Sequence, residues 1–174
     1  MLILMTVFSI PLFSQVSKPE PAQTILDSAV KQASGSDKTV FVMFHASWCK
    51  WCKRLDSVLV SPELKNIINS YFIVTHIDVK EREEKIELLE NPGGDKMLKQ
   101  FGGDSSGLPF VVFIRANRKK IADSNVMPEN QNIGYPGAKE EIAAFIKLLK
   151  KSAPRMTKKQ LAVVAKYLEK NAPR

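Results

Sequence analysis

The sequence is short of the residues that hold metals and staple small folds. It has two cysteines, Cys49 and Cys52, and two histidines, His45 and His76, in 174 residues. Two cysteines cannot build a multi-bridge disulfide scaffold. A closed zinc site needs four protein ligands; His45, Cys49 and Cys52 have a metal-ligand look, but His76 is the one further nitrogen donor and falls in a different segment. Metal binding is therefore the lesser reading of the pair, and no metal is expected. Long apolar runs are missing too: Leu2 to Phe13 is too short to span a bilayer comfortably. No charge precedes Lys18, so the run has the apolar core of a secretory signal without its basic start. No cysteine follows it, which argues against a lipoprotein. Basic residues interleaved with stacking aromatics are absent, as are nucleic-acid motifs, so no nucleic-acid partner is expected.

What is present suits one α/β domain with ornaments. Residues 1–14 are expected to be a signal peptide cleaved between Ser14 and Gln15, which places the protein outside the cytoplasm, periplasmic or secreted. An uncleaved anchor or a buried N-terminal strand are the alternatives. Pro19 and Pro21 mark a linker over 15–23. The domain proper is expected over 24–151, with a helical extension over 152–174. Ten of the cations and three of the carboxylates lie in residues 139–174, so this end carries nearly all of the formal +8. A basic face of that kind could attract an anionic surface, but a solvated helix face is the better reading of a charge run.

The chain is organised around Val40 to Leu55. Val40-Phe41-Val42-Met43-Phe44 is an unbroken apolar run and reads as a strand buried on both faces. Leu55, Val58 and Leu59 fall at helical spacing. Cys49 and Cys52 sit at the joint. At this spacing both cysteines share one side of a first helical turn, so their sulfurs can close a small ring. Cys49 at the helix start gains from free N–H groups and the helix dipole, which stabilise a thiolate. Lys50, Lys53 and Arg54 add positive charge. Cys52, one turn in, suits a resolving thiol. The pattern points to thiol–disulfide exchange, with Cys49 attacking; the alternative is a binding module in which Cys49 and Cys52, with His45, hold a metal or dock a partner without redox turnover.

The strand, the stretch Ala46-Ser47-Trp48-Cys49-Lys50-Trp51-Cys52-Lys53 and the later Gly107-Leu108-Pro109-Phe110-Val111-Val112-Phe113-Ile114 together resemble the thioredoxin-like superfamily, closer to its secreted bacterial members than to thioredoxin itself. The resemblance covers roughly 24–151. It implies a central mixed β-sheet flanked by helices and a cis Pro109 lying against the active-site disulfide. It also implies that Leu108 and Pro109 align the substrate strand. The implied partners are protein thiols and disulfides, with a membrane-bound reductase as a candidate electron donor. The redox-active disulfide needs no other cofactor, and a monomer is expected. Trp48 and Trp51 are read as an apolar apron that meets substrate, or alternatively as packing for a neighbouring segment. His45 could tune the Cys49 thiolate or shuttle a proton, or it could simply cap its strand. The sequence departs from thioredoxin at two places. The buried aspartate of that protein aligns with Met43 and its lysine with Val74. Their joint loss is self-consistent, since a lone buried charge is costly, but it leaves the proton acceptor for Cys52 unassigned.

The remaining pattern fills in the domain. Helices are expected over Thr24–Ala33, from Ser61-Pro62 onward, over Glu81–Leu89 and over Asp95–Phe101. Others are expected over Lys139–Lys151 and, capped by Thr157, over Lys158–Lys170. Strands are expected at Phe72–Val79, Phe110–Ile114 and Lys120–Ala122, and 126–137 reads as polar and turn-rich. Residues 80–106 form a charged insert before the proline, either a wall for a substrate groove or, more commonly for such inserts, a solvated ornament.

Overall fold

The computed structural model describes residues 18–173. The expected signal peptide and the start of the expected linker lie outside the described residues. Among the described residues no helix is long and apolar enough to cross a membrane.

The apolar run forms β1 (Thr39–His45), whose five inner residues are all buried. It lies inside a four-stranded sheet in the order β2-β1-β3-β4, with β2 (Phe72–Asp78) parallel to it and β3 (Phe110–Ile114) antiparallel. β4 (Lys120–Asp123) closes the other edge, antiparallel to β3. The parallel neighbour follows from a helical crossover and the antiparallel edge from a tight turn.

Alternate residues of β1 feed two cores. Phe41 and Met43 point into the larger one, with Leu55 and Val58 of α2 (Lys50–Leu59), Phe145 of α6 (Lys139–Ser152) and Leu161, Val164 and Leu168 of α7 (Lys158–Lys170). Val40, Val42 and Phe44 point the other way, toward α1 (Ala22–Ser34) and α5 (Gly94–Gln100). The result is the expected mixed sheet with helices on both faces. α7 is an integral wall of the larger core. Its N-terminus is capped as the sequence implies: Thr157 Oγ1 accepts the Gln160 N–H at 3.2 Å and Gln160 Oε1 accepts the Thr157 N–H at 2.9 Å.

Three expectations are corrected. Ser61-Pro62 makes a turn, and α3 starts only at Lys65 and runs to Tyr71. The charged segment 81–89 forms a 3-10 turn over Glu83–Lys85 and the one-turn α4 (Ile86–Leu89). Residues 82–89 bury nothing that could anchor a longer helix. The polar stretch 126–137 contributes a small ribbon, β5 (Asn125–Met127) against β6 (Gln131–Asn132). Strands this short and polar carry no alternation for a sequence pattern to show.

The insert is half ornament and half wall. Residues 82–89 are exposed, whereas Glu81, Asn91, Met97 and Leu98 are buried. Gly94 lets α5 start against β2, since a Cβ there would lie 2.9 Å from Val79 Cγ1 and 3.0 Å from the Asp78 carbonyl oxygen.

Candidate functional site

The site forms where β1 ends and α2 begins. The Cys49 N–H bonds the Ala46 carbonyl at 3.0 Å, turning the chain into the helix. Cys49 is the N-cap residue, and its Sγ accepts the Cys52 N–H at 3.1 Å. A helix start thus presents a backbone donor to that sulfur, as thiolate stabilisation requires. The two cysteines form a disulfide, with Cα atoms 5.3 Å apart. Cys52 is fully buried and Cys49 nearly so, in a cluster with Ala46 and Leu108. Lys50 occupies the first helical position and is exposed.

A collar surrounds the pair. The Leu108–Pro109 bond is cis; Pro109 is buried and Leu108 half-buried. Asn132 ties this loop down, its Nδ2 donating to the Gly107 and Pro109 carbonyls at 2.6 and 2.9 Å. Trp48 and Trp51 are 46% and 43% exposed, large apolar area left in water beside the disulfide. Trp48 is anchored by its Nε1–H, which donates to the Lys80 carbonyl at 2.8 Å. Trp51 stacks on Tyr135 with ring centroids 5.7 Å apart. The Arg54 guanidinium lies over the Tyr135 ring, 5.2 Å from its centre, and donates to the Asn171 carbonyl at 2.7 Å. The chain end beyond α7 thereby closes one side of the collar. A cleft of about 490 Å³ opens there, lined among others by Trp51, Leu108, Tyr135, Glu141 and Pro173.

Beneath the collar the groups are polar. Glu81, buried at the start of the insert, accepts from Ser47 N–H at 2.5 Å and from Ser47 Oγ at 2.8 Å. One carboxylate thus fixes the loop that carries Trp48 and Cys49. Next to it lie two histidine–aspartate pairs. His45 Nε2 is 3.2 Å from Asp78 Oδ1 but is not aligned to hydrogen-bond it. His76 Nε2 is 2.6 Å from Asp56 Oδ1, and the two imidazoles meet edge to face with centroids 5.1 Å apart. Burial lowers the His45 pKa below its ordinary value, reinforced by His76 and opposed by Asp78. Burial raises that of Asp78, opposed by His45. In the β1–β2 register His76 stands opposite the fully buried Met43, and Val74 opposite Phe41.

The structure therefore brings Cys49, Cys52, Trp48, Trp51, Leu108, Pro109, Lys50 and His45 to one end of the sheet. Sequence reasoning missed Glu81, Tyr135, Asp56 and Asp78. For Asp56 a signal existed, four residues after Cys52 and so on the same helix face. For Tyr135 and Glu81 there was none, since loops bring both to the site. Among the described residues no group of three or more His, Cys, Asp or Glu side chains is placed to hold a metal.

A family model described as thioredoxin-like matches residues 22–116. Among solved structures, the chain is similar to a disulphide isomerase from Xylella fastidiosa, with 17% identity over 95% of this chain and 98% of that one and a TM-score of 0.52. It is also similar to a DsbH oxidoreductase, with 20% identity over 87% of this chain and 96% of that one and a TM-score of 0.50. At these identities the likeness is one of fold.

Proposed function

We propose that this chain, which belongs to the thioredoxin-like family, exchanges disulfides with protein substrates through Cys49 and Cys52. The observation that carries the reading is the position of Cys49. It caps α2, its sulfur takes the Cys52 N–H, and it is ringed by two half-exposed tryptophans and the Leu108–Pro109 loop. In the reducing direction the Cys49 thiolate attacks a substrate disulfide and forms a mixed disulfide. Cys52 then attacks Cys49 Sγ, closes the Cys49–Cys52 bond and releases the substrate as a dithiol. In the oxidising direction a substrate thiolate opens the same bond. The helix start and Lys50 favour the Cys49 thiolate. Trp48, Trp51, Leu108 and Pro109 offer the surface on which an extended substrate segment rests. The two sulfurs carry the electrons, so the reaction calls for no metal or organic cofactor.

The Leu2–Phe13 run supports export with cleavage after Ser14, and an exported monomer of this kind draws electrons from a partner such as a membrane-bound reductase. Sequencing the N-terminus of the protein recovered from the cell envelope checks this part.

The test of the exchange itself is the reduction potential of the pair against glutathione, read by Trp48 and Trp51 fluorescence. A value near about −270 mV marks a reductase, and one toward about −120 mV an oxidant or isomerase. The absence of any reversible couple overturns the reading.

A further inference from the structure

Cys52 poses a chemical problem. Its side chain is fully buried in a cluster with Ala46, Cys49 and Leu108. A thiol in such surroundings holds its proton, yet it must lose it to attack the mixed disulfide. Met43, buried beneath α2, has no proton to exchange.

The polar groups that could serve lie under the same helix. Asp56 follows Cys52 by four residues in α2, so the two share a face about one turn apart. Asp56 Oδ1 holds His76 Nε2 at 2.6 Å, His76 meets His45 at 5.1 Å between centroids, and His45 Nε2 lies 3.2 Å from Asp78 Oδ1. His45 is also the last residue of β1, one before the Ala46 carbonyl that holds the Cys49 N–H. At the other end, the Asp56 and His76 side chains are 35% and 37% exposed, so the row opens to water.

We propose that the His76–Asp56 and His45–Asp78 pairs act as one unit that takes up the Cys52 proton in the resolving step and passes it to solvent. The proposal rests on the exchange reading above and adds the groups that handle its proton. The balance is as follows. Cys52 S–H gives its proton to the unit; the Cys52 sulfur forms the bond to Cys49 Sγ; the bond from Cys49 Sγ to the substrate sulfur breaks. The substrate thiolate leaves with that electron pair and takes a proton from water. The dithiol is oxidised and the substrate disulfide reduced by two electrons.

The charged and titratable groups facing His45 are Asp78 and His76 from β2, Asp56 from α2 and Glu81 from the loop after β2. Burial keeps His45 below its ordinary range and so neutral at pH 7, a form that can accept a proton. Of His45, Asp56, His76 and Asp78, the member that meets the Cys52 S–H is catalytic, and the others, which hold and balance it, are positioning residues.

The experiment mixes the fully reduced protein with oxidised glutathione and follows tryptophan fluorescence across pH. The first phase, Cys49 attack, depends on glutathione concentration; the second, Cys52 resolution, does not. In the unaltered protein the second phase should rise through an inflection in the weakly acidic range. In His45→Gln/His76→Gln that inflection should vanish, and the ratio of second to first phase at pH 7 should fall by about tenfold or more, within the range of general-base catalysis. Asp56→Asn, nearly isosteric and half-exposed, should give the same trend to a smaller degree, and it carries the test if the double variant fails to fold. A second phase whose pH profile is the same in the variants overturns the proton assignment and leaves the exchange reading standing. Failure of the unaltered protein to react in either phase overturns both.

Discussion

The collar above the cysteines and the floor below them are built from opposite materials. Above are Trp48, Trp51 and Leu108, apolar and partly open to water, around the buried Pro109. Below are Glu81, which is buried, and the two histidine–aspartate pairs, polar and partly enclosed. Exposed apolar surface is useful only if something covers it, so the collar is fitted for contact with a partner. Enclosed ionisable groups are costly unless paired; Glu81 is paired with Ser47 and so holds the loop, and the histidine–aspartate pairs are the groups proposed to move charge. On the proposed roles, separating the two lets contact with substrate vary without disturbing proton handling. Both cysteines pack with Leu108 of the collar, and Cys52 also shares its helix face with Asp56.

The sharpest way to break this division is at the sulfurs. Cys49→Ser should abolish exchange, whereas Cys52→Ser should leave a reactive Cys49 that accumulates mixed disulfides, visible as a mass adduct lost on reduction. Trapping by Cys49→Ser instead would reverse the assignment of the two sulfurs.

On the floor, Glu81→Ala removes the acceptor for Ser47 N–H and Oγ. Leaving such groups unpaired costs about 1–3 kcal/mol. For a chain of this size that is a fall in melting temperature of a few degrees per kcal/mol, about 2–4 °C each. An unchanged melting temperature means that water replaces the carboxylate and the floor does not hold the loop.

On the collar, Tyr135→Ala removes the partner stacked on Trp51. A stacked pair contributes about 0.5–1.5 kcal/mol, so KM for a protein disulfide should rise a few-fold while kcat holds. A fall in kcat with KM unchanged would mean that the collar shares in the chemistry.

The smallest effect concerns pH. The folded pKa of His45 is depressed by burial, so the unfolded chain binds the proton more readily. Stability is then fully present above the unfolded value of about 6.5 and is lost as pH falls through the folded one. Asp78 acts the other way: its raised folded pKa gives stability that is present in acid and lost as pH rises through that value. Denaturant melts at pH 7 and pH 5 isolate the His45 part by comparison: His45→Gln should lose less stability from pH 7 to pH 5 than the unaltered protein, and an equal change in both overturns the assignment.

Much of this molecule was legible in one dimension. The run Val40–Phe44 could only be a buried strand, and the helical spacing after Cys52 could only be a helix seated on it. Leu161, Val164 and Leu168 formed a stripe that had to find a core, and α7 buries all three. The insert was less legible because its fate turned on single polar residues. Nothing in Lys80-Glu81 shows that the carbonyl of one holds Trp48 and the carboxylate of the other holds Ser47. The ribbon β5–β6 was hidden for a related reason: it is held by a few backbone hydrogen bonds and by Asn132 gripping the proline loop, neither of which leaves a hydrophobic period.

By itself, then, the sequence determined the strand–cysteine–helix joint, the family resemblance and the core faces, because spacing and apolar periodicity are local properties of the chain. Only the tertiary structure decided what surrounds the sulfurs. His45, Asp56, His76 and Asp78 come from three elements and meet because β1 and β2 pair in parallel with His45 beside Asp78, beneath the face of α2 that carries Asp56. Tyr135 reaches Trp51 because the loop after β6 carries it there, and Asn171 reaches Arg54 because α7 packs back onto the larger core. Such meetings depend on register and packing between segments far apart in the chain, which no local pattern encodes.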